Sequence, residues 1–413
     1  MKEHRRRLIC VTTTSVADAP YYDFALPWLA ADGWEITLTA PGASRSLIRG
    51  ISPYPATIRD IPGEREGSRA IRELRLALEL LRARFGSYDA VLIAGQSISA
   101  RAAVLLAGMR GKALAYHAPE MYDPFDHPAH WRLLGCLSRR ADLYLNAEYH
   151  RAYISRAMYR IRAPIVILPP NLPSTWPIPR IAADVRARMC GDKASHDAFV
   201  LMLHGGYSER RLVPELLHGL AMLPRTVRLV MTNVEHRKGE ADRTLARLGI
   251  EDRVLRLPRM AFGDMLAYSV NADAGVLLYK NNDLGNFFTS PGRLTEYLAC
   301  GLPVLASNHT GLEALVLRHG LGETTREPTP EAIADAIRAL MERKATGVLG
   351  REVMRETFVR TFASDNFRDR VVEAFRTLTP DGRHAALRPP PPFPWLQRAP
   401  LKEHHTRCER DDA

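Results

Sequence analysis

The sequence predicts two successive α/β domains, each built on a parallel sheet with helices on both faces. Three observations carry that expectation. Short apolar runs recur along most of the chain, and several are continuously apolar, as strands buried on both faces require. Segments with helical periodicity separate those runs, which is the alternation that parallel crossovers need. Finally, 413 residues exceed what one ordinary core supports, and a proline-rich stretch divides the two series.

In the first series, Leu8 to Thr13 reads as a strand, followed by a polar loop (Ser15 to Pro20) and an apolar helix through Leu29. Glu35 to Ala40 makes a second strand, ended by Pro41-Gly42. Arg69 to Phe85 repeats apolar residues at helical spacing until Gly86-Ser87 breaks it. The runs at Ala90 to Ala94, Leu114 to Tyr116, Leu143 to Asn146 and Val166 to Leu168 continue the alternation. Pro169, Pro170, Pro173, Pro177 and Pro179 then deny the chain helix and stiffen it. Residues 169–180 are therefore expected to connect a first domain, 1–168, to a second, 181–360.

Strands of the second series are expected at Phe199 to Leu203, Val227 to Met231, Val254 to Leu257, Ala274 to Tyr279 and Val304 to Ala306. Helices are expected over Leu212 to Met222, Arg243 to Leu248, Arg293 to Ala299 and Pro330 to Lys344. Phe367, Val371, Val372 and Phe375 give residues 361–380 one apolar helical face. The proline-rich segment 387–413 has too little apolar surface to build a core and is expected to stay extended or disordered.

Composition narrows the function classes. No stretch reaches the roughly 20 apolar residues of a spanning helix. The apolar run from Leu8 is too short for the core of a signal peptide, so the cytoplasm is the expected compartment. The five cysteines are scattered, with no CxxC pair, which speaks against a zinc site or a disulfide framework. A net charge of +11 is spread along the chain rather than blocked, which gives little support to nucleic-acid binding. Such a surface suits phosphates or the anionic inner face of a membrane.

The most informative stretch is Asn286 to Pro303, NFFTSPGRLTEYLACGLP. Small residues Thr289, Ser290 and Gly292 allow close backbone approach, and a helix is expected to start near Pro291. The unsatisfied N–H groups and partial positive charge of a helix start suit a diphosphate. One turn in, Glu296 can accept hydrogen bonds from a ribose diol. Gly301-Leu302-Pro303 stops the helix and launches the next strand. A second glycine loop, His204-Gly205-Gly206, follows a strand and leads to Arg210 and Arg211. Either arginine can offer planar, permanently charged donors to a diphosphate, and Arg211 is preferred. His117 stands just past a strand end, where open parallel sheets bind ligands.

SPGRLTEYLACGLPVLAS, followed by TGLEALVLRHGLG, resembles the donor-site signature of family-4-like glycosyltransferases. The resemblance implies the GT-B arrangement, two Rossmann-like domains facing each other across a cleft, with a helix at 361–380 returning to the first domain. It also implies transfer of a sugar from a UDP- or GDP-linked donor with retention and without a metal, no cofactor being needed beyond that co-substrate. Glu296 would hold the ribose, and the backbone from Thr289 through Ser290 and Pro291 to Gly292 would meet the sugar or its phosphates. Gly205, Gly206, Arg210 and Arg211 would receive the diphosphate, Arg211 as the group that neutralises the leaving group. LRLPRMAFGDMLAY resembles the loop beside the base, placing backbone groups at Arg259 and Met260. His117 would face the reaction centre, with Glu120 orienting it or facing the acceptor, and Ser15 and Asp18 would border the acceptor. The sequence departs from the family at Phe288, where a glutamate often stands. A nucleotide-sugar epimerase or a non-catalytic donor-binding partner of another transferase are the other readings. The acceptor is left open among a glycan, a lipid-linked sugar and a small natural product.

Overall fold

The structure, a computed structural model, describes residues 6–12, 21–41, 56–61, 69–94, 111–118, 120–125, 127–191, 198–289 and 291–378. Ser15, Asp18, Ser290 and the segment 387–413 lie outside the described residues.

The first sheet comprises β1 (Arg7–Thr12), β2 (Glu35–Pro41), β3 (Ala56–Ile61), β4 (Ala90–Ala94), β5 (Ala113–His117), β6 (Leu143–Asn146) and β7 (Ile165–Ile167). Their spatial order is β3-β2-β1-β4-β5-β6-β7, and neighbouring strands run parallel. Strand side chains alternate between faces. Leu8 and Cys10 accordingly enter one core with Leu38 and Leu92, while Ile9 and Val11 enter the other with Tyr116 and Tyr144. Both faces of β1 are covered, which is why its sequence reads as an unbroken apolar run.

The second sheet comprises β8 (Phe199–Leu203), β9 (Val227–Met231), β10 (Val254–Arg256), β11 (Ala274–Leu277), β12 (Val304–Ser307) and β13 (Gly322–Thr325). Its order is β10-β9-β8-β11-β12-β13, again parallel. The strand order reverses between β1 and β4 in the first sheet and between β8 and β11 in the second. At such a reversal, loops from the carboxyl ends of neighbouring strands diverge and leave a crevice.

Some elements differ from expectation, each for a local reason. β3 and β13 have no strongly apolar signature, since both are edge strands and tolerate residues such as Arg59 and Glu323. β11 ends at Leu277, not Tyr279, because Tyr279 N–H donates to Ser307 Oγ (2.8 Å) and Lys280 N–H to the Arg210 carbonyl (2.8 Å). The helix expected from Arg243 begins at Lys238, with a polar first turn that shows no apolar period.

Two segments pass between the domains side by side. In the connector, Asn171 Nδ2 donates to the Phe362 carbonyl (2.6 Å), and Ser174 N–H donates to Asp365 (2.6 Å). Ser364 N–H in turn donates to the Leu172 carbonyl (2.9 Å). Beyond that crossing, the helix Arg368–Arg376 buries Val371, Val372, Ala374 and Phe375 in the core of the first sheet. Phe375 meets Trp34 edge-on, with ring centroids 6.3 Å apart, and Arg376 Nε donates to Asp32 (2.7 Å). Phe375→Ala removes a fully buried ring and is expected to cost about 3–5 kcal/mol. The first domain's thermal midpoint should fall by several degrees; an unchanged midpoint would show that this helix does not support that core.

Candidate functional site

The crevice of the second domain is built by the loop after β8 (residues 204–211) and the segment after β11, which runs into the helix Gly292–Ala299. His204 joins them. Its ring is buried, with Nδ1 3.0 Å from Glu296 Oε2 and Nε2 2.7 Å from Ser269 Oγ. A carboxylate only accepts, so in the neutral ring Nδ1–H donates to Glu296 and Nε2 is left as an acceptor for the Ser269 hydroxyl, whose one hydrogen the Met265 carbonyl (3.0 Å) also faces. Burial lowers the His204 pKa and Glu296 opposes that shift, so the ring is neutral near pH 7. Beneath it, Tyr297 Oη accepts from His204 N–H (3.0 Å) and donates to the Met202 carbonyl (2.9 Å). Glu296 is thus held on one oxygen, and for Oε1 no bond is formed among the described residues.

The two arginines of the first loop separate cleanly. Leu212 takes a left-handed conformation (φ 49°) and ends the short turn Glu209–Arg211 that carries both. Arg210 is exposed and pairs with Asp283 (2.7 Å). Arg211 is half-buried and donates from Nη1 to the His204 carbonyl (3.2 Å). Among the described residues no carboxylate pairs with it.

Gly205 and Gly206 make room for protein atoms. A Cβ at Gly205 (φ 154°) would lie 2.9 Å from Arg211 Nη1, and one at Gly206 would lie 2.4 Å from the Asn233 carbonyl.

Arg293 was not anticipated from the sequence. It sits three positions before Glu296 on the same helix, hence on the same face. Burial first, and then the charge of Arg293, weaken Arg211's hold on its proton. Among the described residues Arg293 forms no side-chain hydrogen bond or ion pair. The charges of Arg211 and Arg293 therefore act on each other near the start of a helix, where Glu296 is engaged by His204. The site carries an excess of positive charge.

Other expected residues fall as follows. Thr289 is buried, its N–H donates to the Asn286 carbonyl (3.2 Å), and its own carbonyl lies against Gly311. Pro291 caps the helix, and Gly292 abuts the Pro170 backbone of the connector. Arg259 (exposed) and Met260 (half-buried) stand in the loop after β10, on the same carboxyl edge of the sheet. His117 ends β5 but is fully buried, and desolvation pushes its pKa down to about 3. Glu120 pairs with Arg151 (3.2 Å).

Arg151 and Phe288 form a seam between the domains. Arg151 belongs to the helix Tyr149–Tyr159 of the first domain and donates from Nη2 to the Gly285 carbonyl of the second. Phe288 stacks on His150, with centroids 6.3 Å apart and planes 24° apart. His150 donates from Nδ1 to Glu148 (2.7 Å), a bond that raises its pKa. Towards the connector, a cavity of about 490 Å³ opens between Glu148, His150, Asn171, Glu313, Arg318 and Phe362.

Residues 198–343 match the family described as glycosyl transferases group 1. No curated protein matches the sequence. Among solved structures, sucrose-phosphate synthase from Thermosynechococcus elongatus is similar at TM-score 0.69 and 15% identity, covering 90% of this chain and 98% of its own. HepE of Anabaena, solved in complex with UDP-glucose, is similar at 0.68 and 16%, covering 90% and 100%. A UDP-N-acetylglucosamine 2-epimerase is similar at 0.53 and 14%, covering 90% and 95%. The chain has the GT-B fold, and its second domain carries the group 1 glycosyl transferase match.

The buried His117 makes acid sensitivity a readable property. Its folded pKa of about 3 lies below the ordinary 6.5. As pH falls from 6.5 towards 3 the unfolded chain takes up a proton that the folded chain refuses, so stability declines by up to about 1.4 kcal/mol per pH unit. Denaturant titrations of the wild type and His117→Asn over that window should show a shallower decline in the variant. Parallel curves would show that the imidazole is charged inside the fold.

Proposed function

We propose that this chain, a glycosyltransferase of the GT-B fold with a group 1 donor domain, moves a sugar from a nucleotide-sugar to an acceptor held by the first domain, with retention and without a bound cation. The observation that carries this reading is the convergence of Arg211 and Arg293 beside Glu296, with no carboxylate neutralising either guanidinium among the described residues. When the bond between the sugar's anomeric carbon and the phosphate oxygen breaks, negative charge collects on the departing diphosphate. Two fixed guanidinium groups and the amides at the start of the helix Gly292–Ala299 stabilise that charge in place. The acceptor oxygen forms the new bond to the anomeric carbon, and its proton passes to the departing phosphate oxygen.

Glu296 Oε1 suits a ribose diol, and the backbone at Arg259 and Met260 suits a base edge. The UDP-glucose complex of HepE supports a uridine donor, with guanosine the other candidate. Neutral His117 serves as an uncharged hydrogen-bonding group at the floor of the first domain, and Glu120 acts through Arg151 on the seam. A glycan, a lipid-linked sugar or a small natural product are the acceptor classes, and the cytoplasm is the compartment. The likeness to a 2-epimerase keeps one other reading, isomerisation of the donor without an acceptor.

Thermal shift with UDP, GDP and their sugars tests binding, since a ligand at a hundredfold its dissociation constant stabilises by about 2.7 kcal/mol. Arg211→Ala should lower kcat/KM for donor consumption about a hundredfold or more, in line with loss of one charged donor to a developing anion. Glu296→Gln should weaken nucleotide binding. Unchanged turnover in Arg211→Ala, or donor isomerised with no acceptor present, would refute the transfer reading.

A further inference from the structure

The helix Arg69–Phe85 is apolar on two sides. Leu76, Leu80 and Ala83 face inward and belong to the core between this helix and the first sheet. Ile71, Leu74, Leu78, Leu81 and Phe85 point outward at spacings of three and four residues, which places them in one narrow stripe. They are 49%, 62%, 46%, 36% and 77% exposed. From Ile71 to Phe85 the stripe runs about 21 Å, at 1.5 Å per residue. Scattered exposed leucines need no explanation, but five large apolar side chains in one line mark a contact surface.

Charge identifies the occupant. The helix carries five arginines against two glutamates. Exposed Arg75 and Arg82 lie directly beside the stripe at helical spacing. Glu79 is buried and shared between Arg59 (2.9 Å) and Arg82, one carboxylate for two guanidinium groups, so positive charge remains beside the stripe together with Arg75. A second copy laid on this face would set arginine against arginine. An anionic bilayer meets both demands, since lipid tails cover the leucines and headgroup phosphates meet the guanidinium groups. With five arginines in 17 residues the helix lies in the interface rather than across it. We infer that the outer face of Arg69–Phe85 docks the first domain on an anionic membrane surface. The inference is independent of the donor-site reading.

Flotation of the full chain with phosphatidylcholine vesicles, with and without phosphatidylglycerol, tests it. Binding should require the anionic lipid, weaken with added salt, and fall about tenfold or more in Leu74→Ser/Leu78→Ser. These side chains are exposed, so the variant's thermal midpoint should match the wild type. Arg75→Glu probes the charge separately and should also weaken binding. The inference is overturned if anionic vesicles are not bound at low salt, or if the double variant binds as well as the wild type. A dimer in sedimentation that the double variant dissociates would also overturn it, because a second copy would then cover the stripe.

Discussion

The crevice of the second domain depends on one buried ring. His204 is the point where the loop after β8, the helix after β11 and the end of the helix Phe262–Ser269 are tied together. Its two nitrogens engage Glu296 and Ser269, its backbone meets Tyr297, and its carbonyl takes the Arg211 guanidinium. A single residue thereby sets the height of Arg211 and the orientation of Glu296. Because the ring is neutral, it fixes the carboxylate without adding a third positive charge to a crevice that already holds two. Two like charges are thus held near each other, against their own repulsion, by a hydrogen-bonded scaffold.

The rest of the architecture delivers this crevice to the other domain. Gly285 and Phe288, both from the segment after β11, are the points at which Arg151 and His150 of the first domain make contact. The same short stretch of chain thus carries the donor-side helix at one end and the domain seam at the other. Any movement that parts the domains pulls on the segment that leads into Arg293 and Glu296. Phe288 adds an apolar face to this seam, at the position where the resemblance would place a glutamate.

Much of this was legible in the sequence, and the reasons differ by element. Buried parallel strands announce themselves because both faces are apolar, so β8 and β9 read to their observed ends. The helix at Gly292–Ala299 was legible from the turn on each side. Edge strands β3 and β13 were not, because exposure on one flank lets charged residues in. The choice between Arg210 and Arg211 rests on their partners, Asp283 for the one and the His204 carbonyl for the other, which spacing does not reveal. Arg293 escaped notice for a related reason. On its own helix it reads as one more arginine, and its meaning comes from a loop more than eighty positions earlier in the chain. His117 ends its strand as expected, with Glu120 shortly after it, but burial and the pairing with Arg151 are properties of packing, not of spacing.

Both crossings between domains lie together, with Asn171 bonded to the Phe362 carbonyl and Ser364 to Leu172. The final helix then rejoins the fold beneath Trp34. The helix Arg368–Arg376 consequently travels with the first domain although it follows the second in the chain. A fluorophore or fusion partner attached after residue 378 would report the motion of the amino-terminal half. To follow the second domain, the label must go on a helix such as Pro330–Ala345, whose exposed face moves with the second sheet.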